Sequence, residues 1–273
     1  MLNNKERNLS ADEILSQEFD ELKKEIEKLR TELSMLLLER DELQFVICEN
    51  IEMKYMLKLG DLEYKTHEAQ CTVLRLKRKI ELIQAKKNRQ EKINISEIEK
   101  ILDKEFEEYK DQLDEQIHKI NEAIKRSKGK LLTDEESKEL KQIYRKIVKV
   151  LHPDMNPKVS KEQLQLFVNA VAAYKDGDLD TLRFINEIIS DNKSYDMNNA
   201  TYNLVEKKEH LQKAIKSVQM SIENIKSEFP YTMKDIVNDE ELIKQNRQKL
   251  EDTLNQYNEL IIVYKNKIEE MLR

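Results

Sequence analysis

The stretch ILSQEFDELKKEIEKLRTELSMLLLERDEL, residues 14–43, decides the fold. Leu15, Leu22, Leu29, Leu36 and Leu43 recur every seven residues, and Phe19, Ile26, Leu33 and Ile47 fill the second seam position. Two apolar positions per heptad, sustained through consecutive heptads, read as a coiled coil. Arg40 is the charged intruder in this seam. It either sets register or carries its charge out of the seam on a long stem. A straight helix from Ala11 to Leu59 would run roughly 70 Å at about 1.5 Å per residue, and its leucine stripe needs a partner.

Outward from this stretch the chain keeps the same character. Gly60-Asp61 reads as a helix end followed by a new cap, and a stripe resumes with Leu62, Ala69, Val73, Leu76, Ile80 and Ile83. A short break between two striped helices predicts an antiparallel hairpin. Ser96 with Glu99 has the spacing of a capping box. It opens a third helix with Ile98, Leu102, Phe106, Tyr109, Leu113, Ile120 and Ile124 on one face. Near the C-terminus, one stripe runs from Leu204 to Phe229, Pro230 stops it, and a return stripe runs from Ile236 to Ile268. The predicted fold is all-α, with two antiparallel coiled-coil hairpins flanking a small, different helical unit. The segments are an N-terminal hairpin over 11–90, a connecting long helix over 96–129, the distinct unit over 131–192 and a C-terminal hairpin over 198–273.

Composition agrees. Of 273 residues 37% are charged, against about 25% in average soluble chains, and only three Gly and three Pro are present. So few turn-formers leave no room for the hairpins of an all-β fold or the junctions of α/β units. No apolar h-region opens the chain and no apolar run approaches the roughly 20 residues of a membrane span, so a cytoplasmic protein with no membrane span is expected. Net charge is −6 with both signs interspersed, which disfavours a nucleic-acid partner. The heptad phase puts Cys71 on an outer position, so no bridge from Cys48 to Cys71 is expected in a reducing compartment.

Residues 131–192 differ in kind. Thr133 with Glu136 forms a capping box, and the helix that follows carries Leu140, Ile143, Tyr144, Ile147 and Val150 on one face. Its other face carries Lys138, Lys141, Arg145, Lys146 and Lys149 against the single acid Glu139, a net +4. His152-Pro153-Asp154-Met155-Asn156-Pro157 forces a loop. A second helix from about Ser160 to Lys175 carries Leu164, Phe167, Ala170, Ala173 and Tyr174, and Gly177 ends it. Asp178 caps a third helix with Leu179, Leu182, Phe184, Ile185 and Ile188.

This unit resembles a J-domain, the module of DnaJ-type co-chaperones. The tripeptide His152-Pro153-Asp154 matches that family's signature, with Tyr144-Arg145-Lys146 eight residues before the His, and Phe167, Ala170 and the Ala173-Tyr174 pair after it. The resemblance covers about sixty residues and implies a partner, a DnaK-type (seventy-kilodalton heat-shock) chaperone whose ATP hydrolysis the unit speeds. It implies chaperone contacts at His152, Pro153, Asp154, Lys141, Arg145, Lys146 and Lys149. The family's first helix has no counterpart in Ser127–Leu132, and the end of the preceding helix around Ile120 and Ile124 is the candidate stand-in. No Gly/Phe-rich linker and no Cys-x-x-Cys pair accompany the unit, so the likeness stops at the J-domain.

The residue chemistry fits that role. A row of cations on a rigid helix steers toward an acidic partner face. An aspartate held in a proline-restricted loop presents its charge for pairing with a partner arginine. His152 is placed either to hold the loop by hydrogen bonds or to touch the partner. Nothing points to an enzyme, a cofactor or a metal site: the other histidines, His67, His118 and His210, sit on separate helices without metal-ligand spacing. The coiled coils are expected to bind a protein client or to self-associate. The alternative function is a coiled-coil scaffold or adaptor carrying an inactive J-like unit.

Overall fold

The computed structural model describes residues 11–129, 132–191 and 201–273. Every regular element in it is helical, with no strand among the described residues. Helix α1 (Ala11–Glu42) passes through a π-helical turn (Leu43–Cys48) into α2 (Glu49–Tyr55), and through a second (Met56–Gly60) into α3 (Asp61–Asn88). Next come α4 (Ile95–Glu105), α5 (Glu107–Ser127), α6 (Asp134–Leu151), α7 (Lys161–Asp176) and α8 (Leu179–Asp191). The chain closes with α9 (Thr201–Ser227), a 3₁₀ turn (Tyr231–Met233), α10 (Lys234–Asn238) and α11 (Glu240–Leu272). The boundaries drawn from sequence at 131, 192 and 198, and the side chain of Leu15, lie outside the described residues.

The helices sort into two compact units. The first draws on Met1–Cys48 and Lys130–Phe229, the second on Glu49–Gly129 and Pro230–Arg273. In the first unit α9 lies along α1. Ile26, Leu33 and Leu37 of α1 are buried, as are Leu211, Ile215, Val218 and Ile222 of α9. Lys208 pairs with Glu25 at 2.6 Å and Lys226 with Glu39 at 3.0 Å, so residue numbers rise together and the two helices run parallel. Helices α6, α7 and α8 pack on one another, and α1 packs on α6.

In the second unit α11 lies along α3, also in parallel. Arg247 pairs with Asp61 at 3.2 Å, Thr66 donates to the Leu250 carbonyl at 3.5 Å, and Ile268 joins Ile83 in one core cluster. The chain reverses at residues 89–94, where Gln90 takes a φ of 57° and the Asn94 side chain accepts from Ser96 N–H at 3.1 Å. Helices α4 and α5 then return antiparallel to α3. Arg75 reaches Glu99 at 2.6 Å and Asp103 at 2.7 Å, and His67 meets Gln116. Ile83, Ile98, Leu102 and Ile268 form a wholly aliphatic core.

Three expectations are corrected. The turn predicted at Gly60 does not exist: Gly60 has φ −58° and ψ −34°, and the helix continues through it. A Cβ there would stand 3.2 Å from Ile120 Cγ1 and 3.3 Å from Met56 Sδ, so the glycine serves the close approach of α5 rather than a reversal. Neither predicted hairpin forms, because α9 takes α1 as its partner and α11 takes α3. A heptad stripe demands cover and does not say which helix supplies it. Finally, the cap of α4 is Asn94, two residues ahead of the predicted Ser96.

Candidate functional site

Helix α6 begins at the predicted capping box. The Thr133 hydroxyl accepts from Glu136 N–H at 3.1 Å, and the Glu136 carboxylate accepts from Thr133 N–H at 2.8 Å. The helix ends at His152, whose φ of −68° and ψ of 130° leave the helical region, as a residue before proline must. The loop folds back on that residue: Met155 and Asn156 N–H groups donate to the His152 carbonyl at 3.0 and 2.9 Å. The Asn156 amide donates to the Lys149 and Val150 carbonyls at 2.9 and 2.8 Å, satisfying acceptors that a helix end leaves open. Met155 is buried beneath the loop. Helix α7 opens with a second capping box, Ser160 with Gln163, and closes on Gly177 at φ 71°.

His152 is buried, 6% exposed. Its ring meets Phe167 edge-on, with centroids 5.0 Å apart. Its Nδ1 accepts from the Asp154 backbone N–H at 3.1 Å, which requires an unprotonated nitrogen there. Burial holds the imidazole pKa below its ordinary value, against the opposing pull of Asp154 and Asp41 and alongside the repulsion of Arg40. Of the two roles left open by the sequence, the geometry gives His152 the first, organiser of the loop. The Asp154 carboxylate, 44% exposed, is the charged group the loop turns outward.

The four predicted cations divide in two. Lys146 and Lys149 are exposed. Lys141 is tied to Glu42 of α1, and Arg145 is half-buried, its Nε enclosed without a partner. Glu139 accepts both Arg183 Nε and Nη2 at 2.8 and 2.7 Å, so Arg183 cancels the single acid of the basic run.

A buried polar centre lies behind this face. Tyr144 and Tyr174 stack with centroids 4.1 Å apart and planes 12° from parallel. The Tyr144 hydroxyl donates to Asp41 Oδ2 at 2.6 Å. Asp41 is fully buried and takes two further bonds from Arg40, at 2.8 and 2.6 Å. Burial, and next the Asp41 charge, push the Tyr144 hydroxyl pKa up, so it stays a donor. The intruder Arg40 is thus the counter-ion of Asp41. Within this unit α1 docks on α6, and the π turn after it reaches α7. Asp41 and Glu42 were missed from sequence, although an Arg-Asp-Glu triplet inside a leucine seam was the available signal. Phe184, placed on the apolar face of α8, is 64% exposed, because it stands on the opposite side from Leu182 and Ile185.

No protein-family model, no curated protein and no solved structure matches this chain. Among the described residues no cluster of His, Cys, Asp and Glu is arranged to hold a metal ion, and no helix is long and apolar enough to cross a membrane.

Proposed function

We propose that residues 133–192 act as a J-domain, binding a DnaK-type chaperone and stimulating its ATP hydrolysis. The observation that carries this reading is the architecture of the loop. His152 and Asn156 lock it to α6 and α7, Asp154 is turned outward, and Lys146 and Lys149 are exposed on the helix that leads into the loop. A preorganised acid loses little conformational freedom on docking to a cation, and the two lysines supply steering.

The test is steady-state ATP hydrolysis by a DnaK-type chaperone with and without this chain. Wild type is expected to raise the rate and Asp154→Asn, which removes only charge, to leave it basal. A basal rate with folded wild type would sink the proposal. Stimulation by Asp154→Asn equal to wild type would remove the charge-pair mechanism. His152→Gln is a poorer probe, because this buried ring contributes to folding as well. The scaffold reading also has an observation in its favour: Lys141 is committed to Glu42, and Tyr144 is covered. It forecasts a basal rate with wild type.

A further inference from the structure

Helix α1 runs antiparallel to α6 and is bonded to it along its length. Arg30 Nη2 donates to Asn156 Oδ1 at 3.4 Å, just past the end of α6. Further along α1, Asp41 accepts from the Tyr144 hydroxyl at 2.6 Å, and Glu42 Oε1 accepts from Lys141 Nζ. Asp41 is fully buried, so the backbone beside Glu42 is fixed and the Glu42 carboxylate is kept at Lys141. This contact divides the basic row of α6. Lys146 and Lys149 are exposed and make no ion pair among the described residues, whereas Lys141 already holds an acid. Neighbouring acids are committed elsewhere: Glu39 to Lys226 at 3.0 Å, Glu139 to Arg183 at 2.7 Å and Asp41 to Arg40 at 2.6 Å. Glu27 and Glu32 line the same trough as Glu42 and Arg145, but stand at least about 15 Å back along α1. The Lys141 side chain is 41% exposed and that of Glu42 29%, so the pair is open to exchange with a charge from outside.

We propose that Glu42 is an internal competitor for the partner that docks on this row: it masks Lys141 with the same charge that the partner's acidic face brings. The inference rests on the chaperone reading above and adds an attenuator to it. A partner meets Lys146, Lys149 and the outward Asp154 directly, and gains Lys141 only by displacing Glu42. That exchange swaps one carboxylate for another and leaves the number of ion pairs unchanged, so Lys141 adds little affinity while Glu42 is present. The mask opens by rotation of the Glu42 side chain and not by release of α1. Pulling Asp41 away from Tyr144 and Arg40 would strand a buried charge, a far larger cost than parting an exposed pair.

Affinity of the full chain for a DnaK-type chaperone, measured by isothermal titration calorimetry at low salt, tests it. Glu42→Gln keeps the side chain's shape and removes its charge. It is expected to tighten binding about two- to fivefold, the range that an exposed ion pair carries. Adding Lys141→Met to Glu42→Gln is expected to return the affinity to the wild-type value. Glu25→Gln removes the same charge from the same helix, but from a carboxylate that pairs with Lys208 of α9, and is expected to leave the affinity unchanged. Equal binding by wild type and Glu42→Gln overturns the proposal. So does a gain that survives Lys141→Met, or one that Glu25→Gln matches, since either would make the effect one of net charge. Failure of the chaperone reading looks different: neither wild type nor Glu42→Gln then binds, whereas a failed mask leaves wild-type binding, and its loss in Asp154→Asn, intact.

Discussion

The two units share aliphatic seams and differ in what else they enclose. Around α6 and α7 the packing closes over a polar centre, with Asp41, Tyr144 and His152 buried and the partly exposed Arg40 bonded to Asp41. Around α3, α4 and α11 the core is Ile83, Ile98, Leu102 and Ile268, and the charges stay at the rim. An aliphatic seam tolerates small slips, since one leucine fits much like the next. A buried carboxylate does not, since it must find its donors or pay a large desolvation cost. The first arrangement suits a unit that must hold one loop in one shape.

The largest expected effect tests that contrast directly. Tyr144→Ala removes a fully buried ring, its stack on Tyr174 and a donor to Asp41. Loss of about 3–5 kcal/mol is expected from the volume alone, measured by urea unfolding. Tyr144→Phe keeps the ring and should cost about 1–3 kcal/mol, the cost of an unsatisfied buried acceptor. Should the Phe variant be as stable as wild type, Arg40 alone satisfies Asp41 and the polar centre is not the determinant described above.

Leu102→Ala is the matching change in the aliphatic core, where Leu102 is fully buried. About 2–5 kcal/mol is expected. Each region has its own core, so amide exchange should accelerate in α3, α4 and α11 and stay slow in α6 and α7. Equal acceleration in both would show that the two cores unfold as one, and the comparison would lose its meaning.

Much of this was legible beforehand, and the failures have physical reasons. The capping box at Thr133 and the stop at Gly177 are local signals, fixed by neighbours within one or two turns, and they hold in the structure. Partner choice is not local. Stripes at α1 and α9, or at α3 and α11, are interchangeable by periodicity, and their pairing joins segments more than 180 residues apart, as Lys208 with Glu25 does. Gly60 misled because glycine marks both turns and close helix approaches. At the candidate site the loop at His152 and the exposure of Lys146 and Lys149 were legible, and the tie of Lys141 to Glu42 was not. Burial of Tyr144 under Asp41 was not, since a charged pair inside a leucine seam reads equally as register or as snorkelling.

A third, smaller effect separates the regions by pH. His152 has a folded pKa below the ordinary 6.5 because burial disfavours its charged form. Between that lowered value and about 6.5 the unfolded chain holds a proton that the folded chain lacks. Stability therefore falls as pH drops below about 6.5 toward that lowered value. Protonation also removes the acceptor for Asp154 N–H, so exchange of that amide should rise in the same window. His152→Gln should flatten the slope of unfolding free energy against pH. An equally steep slope in the variant would place the titrating group elsewhere.

The smallest effect belongs to the rim. Arg75 donates to Glu99 and Asp103 across α3 and α4. Yet its side chain is 31% exposed and Asp103 is 70% exposed, so water and salt screen the pairing and the long side chain must be ordered to make it. Arg75→Met keeps most of the stem that covers the helix contact and removes only the charge. Such exposed pairs are worth up to about 1 kcal/mol, and the loss should shrink further in high salt. Chemical unfolding in urea at low and high ionic strength measures both numbers. A loss as large as that of Leu102→Ala, insensitive to salt, would mean that the rim, rather than Ile83 and Leu102, holds α4 on α3, and the two units would then be more alike than their cores indicate.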